Sequence, residues 1–117
     1  MKKILLIEDD PTLALTLKLS LCQKGYELFV CETLEQASTQ LSSVDYHLVL
    51  LDVNLPDGNG ISFCKSLREK NKSLPIILVT AEIDEDSVVQ GISSGADDYI
   101  RKPFGINELA VRMNRLL

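Results

Sequence analysis

The 117-residue chain has a single histidine, His47, and only three cysteines, Cys22, Cys31 and Cys64. It has no Cys-x-x-Cys pair and no Cys/His spacing of a metal site, which removes the usual ligands of zinc and iron–sulfur centres. The cysteines are widely separated and odd in number, so they read as small buried hydrophobes of a reducing compartment. His47, beside a strand start, is assigned no role. Neither GxGxxG nor GxxxxGK[ST] occurs, so nucleotide sites of the Rossmann and P-loop kinds are excluded. No apolar run approaches the roughly 20 residues that span a bilayer. The basic start, Met1-Lys2-Lys3, is followed by only Ile4–Ile7 before Glu8-Asp9-Asp10. That is too short for a signal-peptide core, and the expectation is a cytoplasmic protein with no membrane association. A basic stripe is missing too: the net charge is −5 and the pI about 4.8. Displacing counterions from nucleic acid needs clustered positive charge. Any role at DNA would therefore need a further domain outside this chain.

What is present is apolar residues at 45% and charged residues at 25%, enough for one globular domain spanning 1–117. Short apolar runs recur at Ile4-Leu5-Leu6-Ile7, Leu28-Phe29-Val30, Leu48-Val49-Leu50-Leu51, Ile76-Ile77-Leu78-Val79 and Tyr99-Ile100. The first, third and fourth are continuous rather than alternating, as expected for strands of a parallel sheet covered on both faces. Helical patterns lie between them. Leu13, Leu17 and Leu21 repeat at four-residue spacing, with Leu15 and Leu19 on a neighbouring stripe, Pro11 in the first turn and Gly25 as the stop. Thr33 and Gln36 form a capping-box pattern for a second helix, to about Leu41. A third helix runs from about Gly60 to Lys70, with Ile61, Cys64 and Leu67 inward. A fourth begins near Asp84 and stops at Gly95. A fifth begins near Ile106, with Leu109, Met113 and Leu116 on one face. The order β-α, five times over, predicts a doubly wound α/β domain.

Ligands of such sheets bind beyond the carboxyl ends of the strands. There the first strand delivers Glu8, Asp9 and Asp10; the third delivers Asp52, with Asn54 two residues on. The fourth delivers Thr80 and Ala81, and the fifth Lys102 and Pro103. Singly, these residues are ordinary: Asp10 before Pro11 suits a helix cap, Lys102 a surface charge, Thr80 a turn. Together they fit phosphoryl chemistry on a carboxylate. Crowded carboxylates repel unless a cation sits among them, and an all-oxygen donor set with few protein ligands suits Mg²⁺. Lys102 adds a positive charge and Thr80 a hydroxyl donor. A flavodoxin would carry a Ser/Thr/Gly loop after strand 1, and a haloacid-dehalogenase-type phosphatase its nucleophilic Asp after strand 1 rather than strand 3.

Four segments carry a resemblance: Ile4–Asp10, Leu51–Gly60, Pro75–Ala81 and Gly95–Phe104. In content, order and spacing the chain resembles a response-regulator receiver domain of bacterial two-component systems. The resemblance implies a flavodoxin-like (βα)5 fold with strand order 2-1-3-4-5. It implies Asp52 as phosphoacceptor, and Mg²⁺ bound by Asp9, Asp52 and the Asn54 backbone carbonyl, with Glu8 acting mainly through water. Lys102 would pair with phosphoryl oxygens, and its peptide bond to Pro103 would be cis. Thr80 would move toward the phosphoryl group, Tyr99 would turn inward with it, and Ala81 would leave room for the phosphate. Asn54 and Glu82 would flank the path of the water that ends the signal. The resemblance further implies a sensor histidine kinase as donor and no turnover of an outside substrate. The segment Gly95–Phe104 with Glu108 and Arg112 resembles the winged-helix transcription-factor branch. That branch implies a DNA-binding output domain and a homodimer through helix 4, strand 5 and helix 5, with Asp97 or Asp98 meeting Arg112. One departure stands out: Ser87-Val88-Val89-Gln90 has no basic residue to meet the helix-5 glutamate. The alternatives are a stand-alone receiver acting on a partner through the same face, and Glu108 and Arg112 pairing simply with each other.

Overall fold

The computed structural model describes residues 1–81 and 86–117 together with the backbone of Glu85. The expected helix start near Asp84 and the position of Glu82 lie outside the described residues. The elements are β1 (Lys3–Ile7), α1 (Pro11–Gln23), β2 (Glu27–Cys31), α2 (Leu34–Ser43), β3 (Leu48–Asp52), α3 (Gly60–Lys70), β4 (Ile76–Thr80), α4 (Glu85–Ser93), β5 (Asp98–Arg101) and α5 (Ile106–Leu116). A two-residue ribbon, Asn54–Leu55 paired antiparallel with Gly58–Asn59, stands between β3 and α3.

The five strands are parallel, in the order β2-β1-β3-β4-β5. Successive strand residues point to opposite faces, and both faces are covered. Ile4, Leu6, Leu48, Leu50, Ile77 and Val79 pack toward Leu17, Leu21, Leu109 and Met113 of α1 and α5. Leu5, Ile7, Val49, Leu51, Ile76 and Leu78 pack toward Ala37 and Cys64 of α2 and α3. This is why the runs are continuous: each residue has a hydrophobic layer to enter, and full burial of such a side chain stabilises by about 1.5–3 kcal/mol. The chain leaves β1 toward β2 and returns on its other side as β3. The order reverses there, and a crevice opens between the ends of β1 and β3.

The helix boundaries follow their caps. The Asp10 side chain accepts from the amides of Thr12 (3.0 Å) and Leu13 (3.3 Å), with Pro11 in the first turn. Thr33 Oγ1 accepts from the Gln36 amide at 3.1 Å, while the Gln36 side chain reaches back to the Glu32 amide at 2.9 Å, one residue earlier than in the standard box. Gly25 and Gly95, with φ of +93° and +101°, end α1 and α4. In α1 the buried stripe is Ala14, Leu17 and Leu21, whereas Leu15 and Leu19 face solvent. One expectation is corrected: Cys31 and Cys64 are buried, but Cys22 is exposed. Cys22 follows Leu21 by one residue, a turn of about 100°, which carries it off the buried stripe.

Candidate functional site

Asp52 ends β3 and is only 5% exposed, because its strand is covered on both faces. Its carboxylate accepts from the Asn54 amide at 3.2 Å. The start of α3 is seated directly on this strand end. The Gly60 amide donates to the Val53 carbonyl at 2.7 Å. A Cβ on Gly60 would fall 2.1 Å from the Asp52 carbonyl oxygen, so only glycine fits.

Glu8 follows β1 and is buried, while Asp9 and Asp10 are exposed. Carboxylate oxygens of Glu8, Asp9 and Asp52 lie within 4.8 Å of one another, close enough to share one cation. Lys102 arrives from the far side. Its amide donates to the Thr80 carbonyl at 2.7 Å, extending the β4–β5 ladder by one residue beyond β5. Its peptide bond to Pro103 is cis. The ammonium meets Glu8 Oε1 at 2.7 Å and Asp52 Oδ2 at 3.3 Å. Burial pushes the Glu8 carboxyl above its ordinary value; the bond from Lys102 opposes this, and neighbouring Asp52 adds to it. Burial alone would lower Lys102, but its bonds and charge contacts with Glu8 and Asp52 outweigh that and hold it above its ordinary value.

Thr80 closes β4, buried, one strand over from Asp52. Ala81, exposed, helps line an open cleft of about 430 Å³ with Asp10, Leu13, Lys102, Pro103 and Phe104. The structure thus brings together Glu8, Asp9, Asp52 and Lys102, with Asn54 and Thr80 adjacent. Tyr99 stands apart from them. It pairs in register with Leu78 and packs, half-buried, with the α2–α3 side of the core. A Cβ on Gly91 of α4 would lie 3.5 Å from the Tyr99 ring, so α4 passes close over it.

Three ion pairs lie beyond the site among the described residues. Arg112 meets Asp98 at 3.0 Å and Glu108 at 3.3 Å. Asp97 turns the other way, to Arg68 of α3 at 2.8 Å.

The family model of the response regulator receiver domain matches residues 4–114. This chain belongs to the response regulator receiver domains. The transcriptional regulatory protein PmrA of Pectobacterium parmentieri is 37% identical over 98% of this chain and 52% of its own length. The DNA-binding response regulator MtrA of Mycolicibacterium smegmatis is 41% identical over 99% of this chain and 50% of its own length. The receiver domain therefore spans about half the length of these relatives. Among solved structures, the response regulator TrrA of Thermotoga maritima, in complex with Mg²⁺-BeF, superposes with a TM-score of 0.91 at 36% identity, covering all of both chains. The relatives support the winged-helix branch that Gly95–Phe104 suggested.

Two residues of this receiver domain were given no role by the sequence. Gly60 was placed only as the start of the third helix and the end of the Leu51–Gly60 segment. Asp57 sits at the ribbon tip, where its carboxylate accepts from the Leu34 and Glu35 amides of α2 at 2.9 and 3.1 Å. Pro56-Asp57-Gly58 signals a turn, but no sequence pattern links that turn to a helix more than twenty residues earlier.

Proposed function

We propose that this receiver domain is a phosphorylation-operated switch in which Asp52 takes a phosphoryl group from a phosphohistidine of a sensor kinase. The observation that carries this reading is the contact of Lys102 with both Glu8 and Asp52, beside three carboxylates close enough to share a cation. The oxygen-only donor set fits Mg²⁺, held by Asp9, Asp52 and the Asn54 carbonyl with Glu8 acting mainly through water. Such an ion would neutralise the acids and draw charge from the phosphoryl oxygens.

A carboxylate oxygen of Asp52 attacks phosphorus, the phosphorus–nitrogen bond of the donor breaks, and its electron pair returns to the imidazole. The product is an acyl phosphate on Asp52. Lys102, already at the attacking carboxylate, then bonds the new phosphoryl oxygens. The Thr80 hydroxyl turns toward them as a donor, and the Tyr99 ring follows beneath α4, changing the face formed by α4, β5 and α5. Water attack on phosphorus, past Asn54, restores the carboxylate and releases phosphate. The protein assists both steps on itself and turns over no outside substrate.

The whole chain, 1–117, acts as one such unit in the cytoplasm. Its likeness to regulators of transcription supports an output domain that binds DNA, outside this chain, with no DNA contact by the receiver domain itself. A homodimer through α4, β5 and α5 is the associated expectation. Val89, Ile92 and Val111, exposed on α4 and α5, lie on that face, and the second reading is a stand-alone receiver that binds a partner protein there.

The test is mass spectrometry after incubation with acetyl phosphate and Mg²⁺. One acid-labile phosphoryl group should appear on Asp52 and none on folded Asp52→Asn. Undiminished labelling of that variant would refute the assignment.

A further inference from the structure

We propose that Asp57 is a positioning residue of the phosphoacceptor site: it pins the tip of the Asn54–Asn59 ribbon to the N-terminus of α2 and so fixes the Asn54 carbonyl. The inference rests on reading Asp9, Asp52 and Asn54 as the metal-binding group.

The base of this loop is fixed by the Val53 amide, which donates to the Val79 carbonyl at 3.0 Å, and by the Gly60 amide, which donates to the Val53 carbonyl at 2.7 Å. Between them Asn54, Pro56, Asp57, Gly58 and Asn59 are all exposed. A ribbon pairing only Asn54 with Asn59 and Leu55 with Gly58 is marginal by itself. Three side chains tie it down: Asp52, which accepts from the Asn54 amide at 3.2 Å at the base of the ribbon, and two further out. Asn59 caps α3, accepting from the Ile61 amide at 2.7 Å, but α3 follows directly in sequence and this holds only the return strand. Asp57 reaches the start of α2, 23 and 22 residues earlier in the chain, with both carboxylate oxygens engaged. The contact is tight: a Cβ on Gly58 would lie 2.9 Å from Leu34 Cδ1.

Thr33 already caps α2 through the Gln36 amide. Asp57 takes the Leu34 and Glu35 amides that Thr33 leaves, and those bonds hold its carboxyl below its ordinary value. The two caps therefore differ in one respect. Thr33 links α2 only to itself, whereas Asp57 links α2 to the loop three residues from Asn54. Residues that orient a metal ligand without touching the metal commonly govern affinity by 10–100-fold, and a ligand on a mobile loop loses preorganisation.

The experiment compares wild type with Asp57→Ala, Asp57→Asn and Thr33→Ala. Mg²⁺ affinity is measured by calorimetry, stability by urea, and acetyl phosphate labelling across Mg²⁺ concentrations. Asp57→Ala should weaken Mg²⁺ binding by about tenfold and slow labelling at low Mg²⁺, with recovery at saturating Mg²⁺. Asp57→Asn, which keeps one acceptor oxygen, should lose less. Thr33→Ala should lower stability but leave Mg²⁺ affinity unchanged. Wild-type affinity in Asp57→Ala, or an equal loss in Thr33→Ala, would overturn the proposal. If Asp57→Ala does not fold, wild-type affinity in Asp57→Asn does the same. Failure of the underlying reading shows separately, on protein with Asp57 intact, as unchanged Mg²⁺ binding in Asp9→Ala.

Discussion

The Lys102 ammonium lies 2.7 Å from the Glu8 carboxylate, closer than to Asp52 at 3.3 Å. In the resting site the lysine thus neutralises a buried acid and waits beside the attacking one. Lys102→Ala removes the cation that touches two of the three carboxylates, Glu8 and Asp52. Labelling by acetyl phosphate should slow by at least tenfold, a loss of about 1.4 kcal/mol in the transition state. Mg²⁺ affinity should rise, because a competing positive charge has gone. Calorimetry showing weaker Mg²⁺ binding would mean that the lysine organises the acids rather than competing for them.

Asp9 contributes differently. It is exposed and lies beside two buried acids, so it can join a cation without a large cost in desolvation. Asp9→Ala should abolish measurable Mg²⁺ binding and with it the Mg²⁺ dependence of labelling, while leaving the urea midpoint nearly unchanged. An unchanged binding isotherm would count decisively against the site.

Burial holds the thiols of Cys31 and Cys64 above their ordinary value of 9.0. The sign follows from proton counting. Above that value the unfolded chain loses protons that the folded chain keeps, so stability falls as pH rises from 9 through the folded values. Urea midpoints should therefore drop above pH 9 and drop less in Cys31→Ala/Cys64→Ala. At neutral pH, iodoacetamide should modify Cys22 rapidly and the other two only on unfolding, as peptide mapping would show.

Much of this arrangement was legible beforehand because strand ends are local. A continuous apolar run followed by an acid, a hydroxyl or a lysine places that side chain at the carboxyl edge of a parallel sheet whatever the loops do. Asp52, Glu8, Asp9, Thr80 and Lys102 were found that way, as was the Asp10 cap. Contacts between distant segments were not legible. Asp57 caps a helix that precedes it by more than twenty residues, and Arg68 chooses Asp97 where Arg112 takes Asp98. Helix α1 was legible in part: Leu17 and Leu21 of the expected stripe are buried and Leu13 packs against the same core, but nothing in the leucines at 13, 15, 17, 19 and 21 singles out Ala14 as the third buried residue.

Gly60 gives the most direct test of how tightly the fold constrains the phosphoacceptor. A methyl group there would meet the Asp52 carbonyl oxygen at 2.1 Å and the Val53 Cα at 2.9 Å. Both are backbone atoms, which cannot rotate away as a side chain would. Either α3 must lift or the end of β3 must bend. Overpacking of this kind costs about 1–3 kcal/mol, and a clash with backbone belongs at the upper end. Gly60→Ala should lower stability by about 3 kcal/mol. In the remaining folded protein, labelling of Asp52 should slow at saturating Mg²⁺, since the residue that moves carries the nucleophile. Gly105→Ala is the control. No atom lies within 4 Å of its Cβ position, and its φ of −83° suits any residue. Loss of glycine at this N-cap should cost under about 1 kcal/mol and leave labelling unchanged. If Gly60→Ala matches Gly105→Ala in both urea midpoint and labelling rate, the seat of α3 on the end of β3 is looser than the contact distances imply.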